Sequence, residues 1–380
     1  MNTTTPTIHM VDLKTQYEKL QSEIDQQVID VIRSGAFING PAVKQFQADL
    51  EDYLDVKHVI PCANGTDALQ IALMALGLQP GDEVIVPAFT YVATAEVIAL
   101  LQLKPVMVDV DPHTFNVTAE LIEAAITDKT KAIVPVNLFG QCCDMAPILA
   151  LAKKHALFVV EDNAQAIGAR YLFPDGTVKA AGALGDIGCT SFYPSKNLGA
   201  YGDGGAIYTD NDELAAKLRT VANHGQNRRY YHDEVGVNSR LDSIQAAILG
   251  IKLKHLDSYN DTRRAAADYY DAAFADIADL ITPARQDNST HVYHQYTLRV
   301  TNGKRDELQA FLQEQGVPSM VYYPVPLYEQ KAFQGTAANE VDFLPVTDLL
   351  CKEVISLPMH SELQEDSLEY ICTKVKAFFA

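Results

Sequence analysis

From residue 66 to about 210, short apolar blocks alternate with stretches that carry apolar positions at helical spacing. T-D-A-L-Q-I-A-L-M-A-L-G predicts a helix from Thr66 to a glycine stop at Gly77. E-V-I-V-P, residues 83–87, is short and apolar throughout, as a strand covered on both faces would be. The alternation continues with a helix over 90–101, a strand over 105–110, a helix over 118–126 and a strand over 131–136. A helix over 144–155, a strand over 157–162 and two further strands at 187–192 and 205–209 follow. Such an order builds βαβ units and a mostly parallel sheet, whose ligands bind beyond the C-terminal ends of the strands. Several of these apolar runs end in polar residues: Asp109, Asp162 and Ser191.

Two helical segments, roughly 12–33 and 41–54, precede this region. After about 240 the texture changes to long helices over 241–256 and 260–278, a strand over 293–300, a helix over 304–315 and two terminal helices. The pattern predicts an α/β chain with a large domain over 1–255 and a smaller α+β domain over 256–380.

Composition narrows the function. The chain of 380 residues is 48% apolar and 21% charged, as soluble globular proteins are. Its net charge of −19 argues against nucleic acid or an anionic membrane as partner, and it repels anions in general. A phosphate would therefore have to be held by local donors. No run approaches the length of a membrane span, and the first residues lack the basic and apolar regions of a secretory signal, so a cytoplasmic location is expected. None of the six cysteines forms C-x-x-C, and Cys62 and Cys189 sit in apolar runs as buried thiols would. His291 and His294 fall on the expected strand 293–300 or at its start, where residues three apart face opposite ways, which argues against a metal site.

The stretch S-F-Y-P-S-K-N-L-G-A-Y-G-D-G-G, from Ser191 to Gly205, concentrates chemistry. No glycine precedes Lys196, so it is not a P-loop lysine, and Ile207 breaks the dinucleotide-binding G-x-G-x-x-G. A lysine in a partly buried site can instead act as a nucleophile and form a Schiff base, most often with pyridoxal 5'-phosphate (PLP). That cofactor needs an anion site, an acid near its ring nitrogen and a face to stack on. Gly65 and Thr66 open a predicted helix and offer N–H groups to a phosphate; alternatively Thr66 is an ordinary N-cap. Ser191 adds a hydroxyl. Asp162 ends a strand as a pyridinium partner or as a capping residue. Gln165 reaches a ring oxygen or a loop carbonyl, and Tyr91 stacks on a ring or packs in the core. The glycines after Lys196 are expected to let the chain turn tightly.

The motifs N-G-T-D-A-L, P-G-D-E-V-I-V-P-A-F-T-Y-V-A-T-A, E-D-N-A-Q-A-I-G-A, the Lys196 stretch and V-G-V-N-S-R-L-D-S-I-Q-A-A-I-L occur in this order. Together they resemble the DegT/DnrJ/EryC1/StrS family of PLP-dependent nucleotide-sugar aminotransferases, over residues from about 8 to 375. The resemblance implies the aspartate aminotransferase-like fold, fold type I. It implies Lys196 as the cofactor's lysine, Asp162 as the pyridinium partner, Gln165 beside the ring hydroxyl and Tyr91 as the stacking aromatic. Gly65, Thr66 and Ser191 would hold the phosphate, joined by Asn238 of a neighbouring subunit in a homodimer with shared sites. L-Glutamate is the implied amino donor, and pyridoxamine 5'-phosphate is left between half-reactions. A dehydratase subgroup has histidine in place of this lysine; Lys196 favours transamination.

Within the family, A-N-G-T-D-A-L-Q-I-A, G-Q-C-C-D and H-G-Q-N-R-R-Y-Y-H are similar to enzymes that aminate 3-keto nucleotide sugars. Among these are the UDP-2-acetamido-2-deoxy-3-oxo-glucuronate aminotransferases of O-antigen synthesis. Arg240 matches the position of an arginine suited to a hexuronate carboxylate; alternatively it is a structural arginine of the whole family. Tyr322-Tyr323 stands where the subgroup has a histidine-tyrosine pair, so Tyr323 is kept, and Tyr328 replaces a common histidine. A dTDP-linked 3-keto-6-deoxyhexose is the competing substrate. Arg228 and Arg229 either meet a diphosphate or form a solvated pair. A regulatory relative that binds PLP without turnover is a further alternative, against which the intact Lys196, Asp162, Gln165 and Ser191 set argues.

Overall fold

A computed structural model describes residues 7–333 and 343–380. Seven strands form the main sheet, in the spatial order His58–Cys62, Gly205–Thr209, Ile187–Ser191, Phe158–Asp162, Thr130–Ile133, Glu83–Pro87 and Lys104–Val108. The five strands from Ile187–Ser191 onward pair in parallel, and Gly205–Thr209 runs antiparallel to both of its neighbours. This is the large, mixed, mostly parallel sheet expected. Glu83–Pro87 is buried along its whole length, in keeping with helices on both faces.

Helices Gly65–Ala75, Ala93–Leu100 and Asp212–Ala222 contribute to an apolar core on one side of the sheet. Met145–His155 contributes to a second core that holds Ile85, Ile133 and Val159. Helices Pro41–Leu54 and Ser243–Leu253 close a third around Val59, Ala206 and Tyr208. Farther along the chain, strands Leu280–Ile281, Tyr296–Val300 and Val354–Leu357 make a separate antiparallel sheet. Helices Leu256–Phe274, Arg305–Glu314 and Glu365–Phe379 share its core, which Ile8 also enters. We place the division between the two bodies near 255: Leu256 packs in the large body and Ala266 in the small one, so one helix bridges them.

Three expectations change. The strand over 293–300 begins at Tyr296, so His291 and His294 lie in an irregular segment and strand alternation says nothing about them. Strand His58–Cys62 and helix Asp212–Ala222 are additional elements, and strand Val354–Leu357 separates the two terminal helices. Asp109 does not face a ligand site. Its carboxylate accepts the N–H groups of Val346 and Thr347 at 2.9 and 2.7 Å and caps helix Pro345–Glu353. All six cysteines are free and buried.

One buried carboxylate organises the strand that leads to the site. Glu161, fully buried, accepts N–H groups from Gly182 at 2.8 Å, Leu184 at 2.6 Å and Gly185 at 2.7 Å. Successive strand residues face opposite ways, so fixing Glu161 on one face presents Asp162 on the other.

Burial of histidines makes the fold acid-sensitive. Desolvation, with Arg285 nearby, drives His291 down to about 3; desolvation, with Arg263, drives His360 down to about 4. Burial and the charge on Lys196 push His294 well below its ordinary value. Unfolded, all three take up a proton near pH ~6.5; folded, they stay neutral to much lower pH. Their contribution to stability is therefore whole above that unfolded value and is lost as pH falls towards the folded values. Around pH ~5 these three groups contribute a slope of about 4 kcal/mol per pH unit, partly offset by Glu161 and Asp162, which burial raises. Denaturant unfolding at several pH values checks this: His291→Asn, which keeps an acceptor for the Tyr293 N–H, is expected to flatten the slope by about 1.4 kcal/mol per pH unit. A slope equal to that of the unaltered chain would refute it.

Candidate active site

The C-terminal ends of strands Phe158–Asp162 and Ile187–Ser191 and the start of helix Gly65–Ala75 open onto one cavity of about 850 Å³. Gly65, Thr66, Tyr91, Asp162, Gln165, Ser191, Lys196 and Tyr323 all line it. Residues from five separate stretches of sequence are thus brought together.

At one end lies the helix start. Asn64, not Thr66, is the N-cap: its side-chain oxygen accepts the Asp67 N–H at 2.8 Å. The first intrahelical bond runs from Ala68 N to Asn64 O at 3.1 Å, so the N–H groups of Gly65 and Thr66 precede the ladder and face outward with the positive end of the helix dipole. Ser191 stands against this start. A Cβ on Gly65 would lie 2.7 Å from the Ser191 Cβ, a close approach that glycine alone permits.

At the other end are Lys196 and Asp162. Lys196 is half-buried, and its amine makes no hydrogen bond or ion pair among the described residues; burial pulls that amine down to about 8 against the opposing charge of Asp162. Asp162 is buried, and desolvation raises its carboxyl above the usual range. The Thr94 hydroxyl at 2.8 Å, the Ala164 N–H at 3.1 Å and Lys196 pull it back. An amine that is about half deprotonated near pH ~8 is a usable nucleophile and base.

The walls are aligned by their own bonds. Gln165 accepts the Phe139 N–H at 2.7 Å and donates to the Tyr323 hydroxyl at 3.1 Å, so its bonds here are not to a loop carbonyl. Tyr91 is exposed at the cavity rim, with its ring 6.4 Å from that of Tyr323, and is not a core residue. Thr90 lines the same cavity and its hydroxyl is buried without a partner. His294 also lines it, a residue that the strand pattern concealed.

The glycines after Lys196 act differently from the expectation. Gly199, Gly202, Gly204 and Gly205 are absent from the positive-φ glycines. They serve close packing: a Cβ on Gly199 would meet the Pro194 carbonyl oxygen at 2.3 Å, and one on Gly205 the Asn64 carbonyl at 2.5 Å. Gly205 thereby lets its strand lie against the cap of helix Gly65–Ala75. Buried Lys252 donates to the Gly199 carbonyl and fixes the loop from beneath.

Other candidates lie apart. Asn238 is exposed and Arg240 half-buried, and neither lines the cavity; the Arg240 side chain makes no hydrogen bond or ion pair among the described residues. Arg228 lies over the Tyr231 ring at 3.7 Å and Arg229 over the Tyr230 ring at 5.0 Å, in a small exposed hairpin. Tyr328 is buried and donates to Asp348, a structural contact.

Residues 18–376 match the model of the DegT/DnrJ/EryC1/StrS aminotransferase family. The chain belongs to this family. It is 50% identical to a pleiotropic regulatory protein of Geobacillus stearothermophilus, over 98% of each chain. It is 49% identical to the UDP-2-acetamido-2-deoxy-3-oxo-D-glucuronate aminotransferase of Pseudomonas aeruginosa, over 96% of this chain and 98% of that one. The structure of NtdA from Bacillus subtilis with bound cofactor PMP matches with a TM-score of 0.90 at 31% identity, covering all of this chain (100%) and 87% of that one. The DegT/DnrJ/EryC1/StrS family is PLP-dependent, and this member is an aminotransferase of fold type I.

The cavity suits PLP on its own terms. It offers free helix N–H groups beside a hydroxyl for an anion, a half-buried amine without a partner, a buried carboxylate and an orphaned Thr90 hydroxyl. Gly65→Ala is expected to lower stability by about 1–3 kcal/mol, because its Cβ overpacks against Ser191, and to weaken PLP binding to the folded chain at least ~10-fold by displacing that residue. Fluorescence titration of the cofactor-free chain measures this; wild-type affinity in the variant would refute the cradle.

Proposed function

We propose that this aminotransferase moves an amino group from L-glutamate to C3 of a UDP-linked 2-acetamido-3-oxo-hexuronate, for surface polysaccharide or O-antigen sugar synthesis. The observation that carries the transfer is a Lys196 amine lowered to about 8 in a cavity it shares with the buried carboxylate of Asp162. PLP, when bound, supplies an electron sink that lets the Cα–H bond of the amino donor break.

Every other task falls to the chain. Gly65, Thr66 and Ser191 bind the cofactor's phosphate through N–H and hydroxyl donors. Asp162 offers a carboxylate to a protonated ring nitrogen, Gln165 its amide to the ring hydroxyl, and Tyr91 its face. Nζ of Lys196 holds the cofactor at rest, then takes a proton from one carbon and delivers it to another. The keto sugar receives the amine by the same moves in reverse.

A homodimer completes the site in this reading. Asn238 and Arg240 lie outside the chain's own cavity, and the Arg240 side chain has no partner among the described residues, as expected of residues lent to a neighbour. Arg240 would grip the hexuronate carboxylate, with Tyr323 beside it. The likeness to the Pseudomonas aeruginosa enzyme supports the uronate. Tyr322, in place of a histidine, is the feature that favours a dTDP-linked 3-keto-6-deoxyhexose as the second reading.

Glutamate-dependent amination of the two keto sugars, followed by mass spectrometry, separates them. With the uronate as substrate, Arg240→Ala is expected to raise KM about 10- to 100-fold with a smaller change in kcat. Turnover of the dTDP sugar alone would overturn the uronate assignment, and equal losses on both substrates would make Arg240 structural.

A further inference from the structure

We propose that His294 is a positioning residue for Lys196: its neutral imidazole accepts, at Nδ1, a hydrogen bond from the lysine amine whenever that amine is not bonded to the cofactor. The inference rests on the reading of Lys196 as the cofactor's lysine.

His294 lines the same cavity as Lys196 and is 6% exposed. Its Nδ1 is buried and has no hydrogen-bond partner among the described residues. A buried polar nitrogen without a partner is costly, and such atoms are usually satisfied by something that arrives. The other ring nitrogen is accounted for. The Gln295 amide nitrogen stands 3.5 Å from Nε2; turning this amide over places its oxygen there instead, to accept the Nε2–H and leave Nδ1 as a lone pair.

The segment carrying His294 is irregular, yet clamped from every side. Val292 N donates to the Gly140 carbonyl at 2.9 Å, and Gln295 N to the Phe139 carbonyl at 3.3 Å. Gly140 makes this possible, since a Cβ there would lie 2.9 Å from the His294 backbone nitrogen. Asn197, next to Lys196, donates to the Val292 carbonyl at 2.8 Å. Buried Arg263 donates to the Tyr293 and Met359 carbonyls, both at 3.0 Å. So the loop holding Lys196 and the segment holding His294 are tied together directly. Such bracing is what a side chain needs to aim one atom.

The charges around His294 keep it an acceptor. Burial, Lys196 and Arg263 all push it far below its ordinary value, so it stays neutral where Lys196 titrates. Across the cavity stand Asp162, Tyr322 and Tyr323, and burial raises all three. An acceptor of this kind steadies the protonated amine and orients the free one, so that the remaining lone pair faces the reacting carbon.

The test uses the full chain stripped of cofactor. It is treated with PLP and borohydride over a range of pH, and peptide mapping reads the rate of labelling at Lys196. Wild type is expected to show a midpoint near 8. His294→Leu removes the acceptor at similar volume and is expected to lower the midpoint by about one pH unit, a tenfold change in neutral amine at lower pH. His294→Asn, whose side-chain oxygen stands near the place of Nδ1, is expected to restore it. An unmoved midpoint in His294→Leu, or equal shifts in both variants, overturns the proposal. Should the leucine variant not fold, 15N histidine spectra decide: Lys196→Met is expected to move the Nδ1 resonance towards that of an unbonded lone pair, and an unchanged resonance overturns the proposal. Labelling that misses Lys196 in wild type would remove the functional reading and this inference with it. Labelling at Lys196 with unmoved midpoints removes the inference alone.

Discussion

The site depends on holding an amine and a carboxylate in one desolvated cavity without letting them pair. Lys196 and Asp162 feel each other's charge but form no salt bridge within the chain. Burial opposes ionisation of both, and their mutual attraction favours it. The balance leaves the amine near 8, where a neutral fraction is available. A direct ion pair would have held the amine protonated and closed the cavity. The Thr94 hydroxyl and the Ala164 N–H restrain the carboxylate instead, and Lys196 is left without a partner.

That separation is built from the sheet outward. Glu161 anchors three backbone N–H groups and sets the face on which Asp162 emerges. The next parallel strand ends at Ser191, where the loop to Lys196 begins. The antiparallel strand Gly205–Thr209 returns that loop to the cap of helix Gly65–Ala75. One continuous path of backbone thus joins the anion-facing helix start to the nucleophile. The turn at 138–140 makes the second connection, serving Gln165 through the Phe139 N–H and the His294 segment through two carbonyls.

The family's chemistry was legible because it is written in consecutive residues. Lys196, its glycines, Asp162 with Gln165, and Gly65-Thr66 each sit in a motif, and the apolar blocks between them alternate at strand and helix periods. The same local reading misplaced residues whose partners are distant. Asp109 ends a strand as Asp162 does, yet it caps a helix that begins more than two hundred residues later. The glycines after Lys196 read as turn formers, but their need is room beside Pro194 and Asn64.

By itself, the sequence determined the α/β plan and the type of cofactor, and singled out Lys196 as the candidate lysine, since periodicity and short motifs are local properties. The tertiary structure alone decided how that lysine is tuned. Desolvation depends on what packs around a group, and a hydrogen bond on which distant atoms meet. His294 shows the difference: in the chain it is one histidine of ten, and in the fold it is buried beside Lys196 with a nitrogen left open.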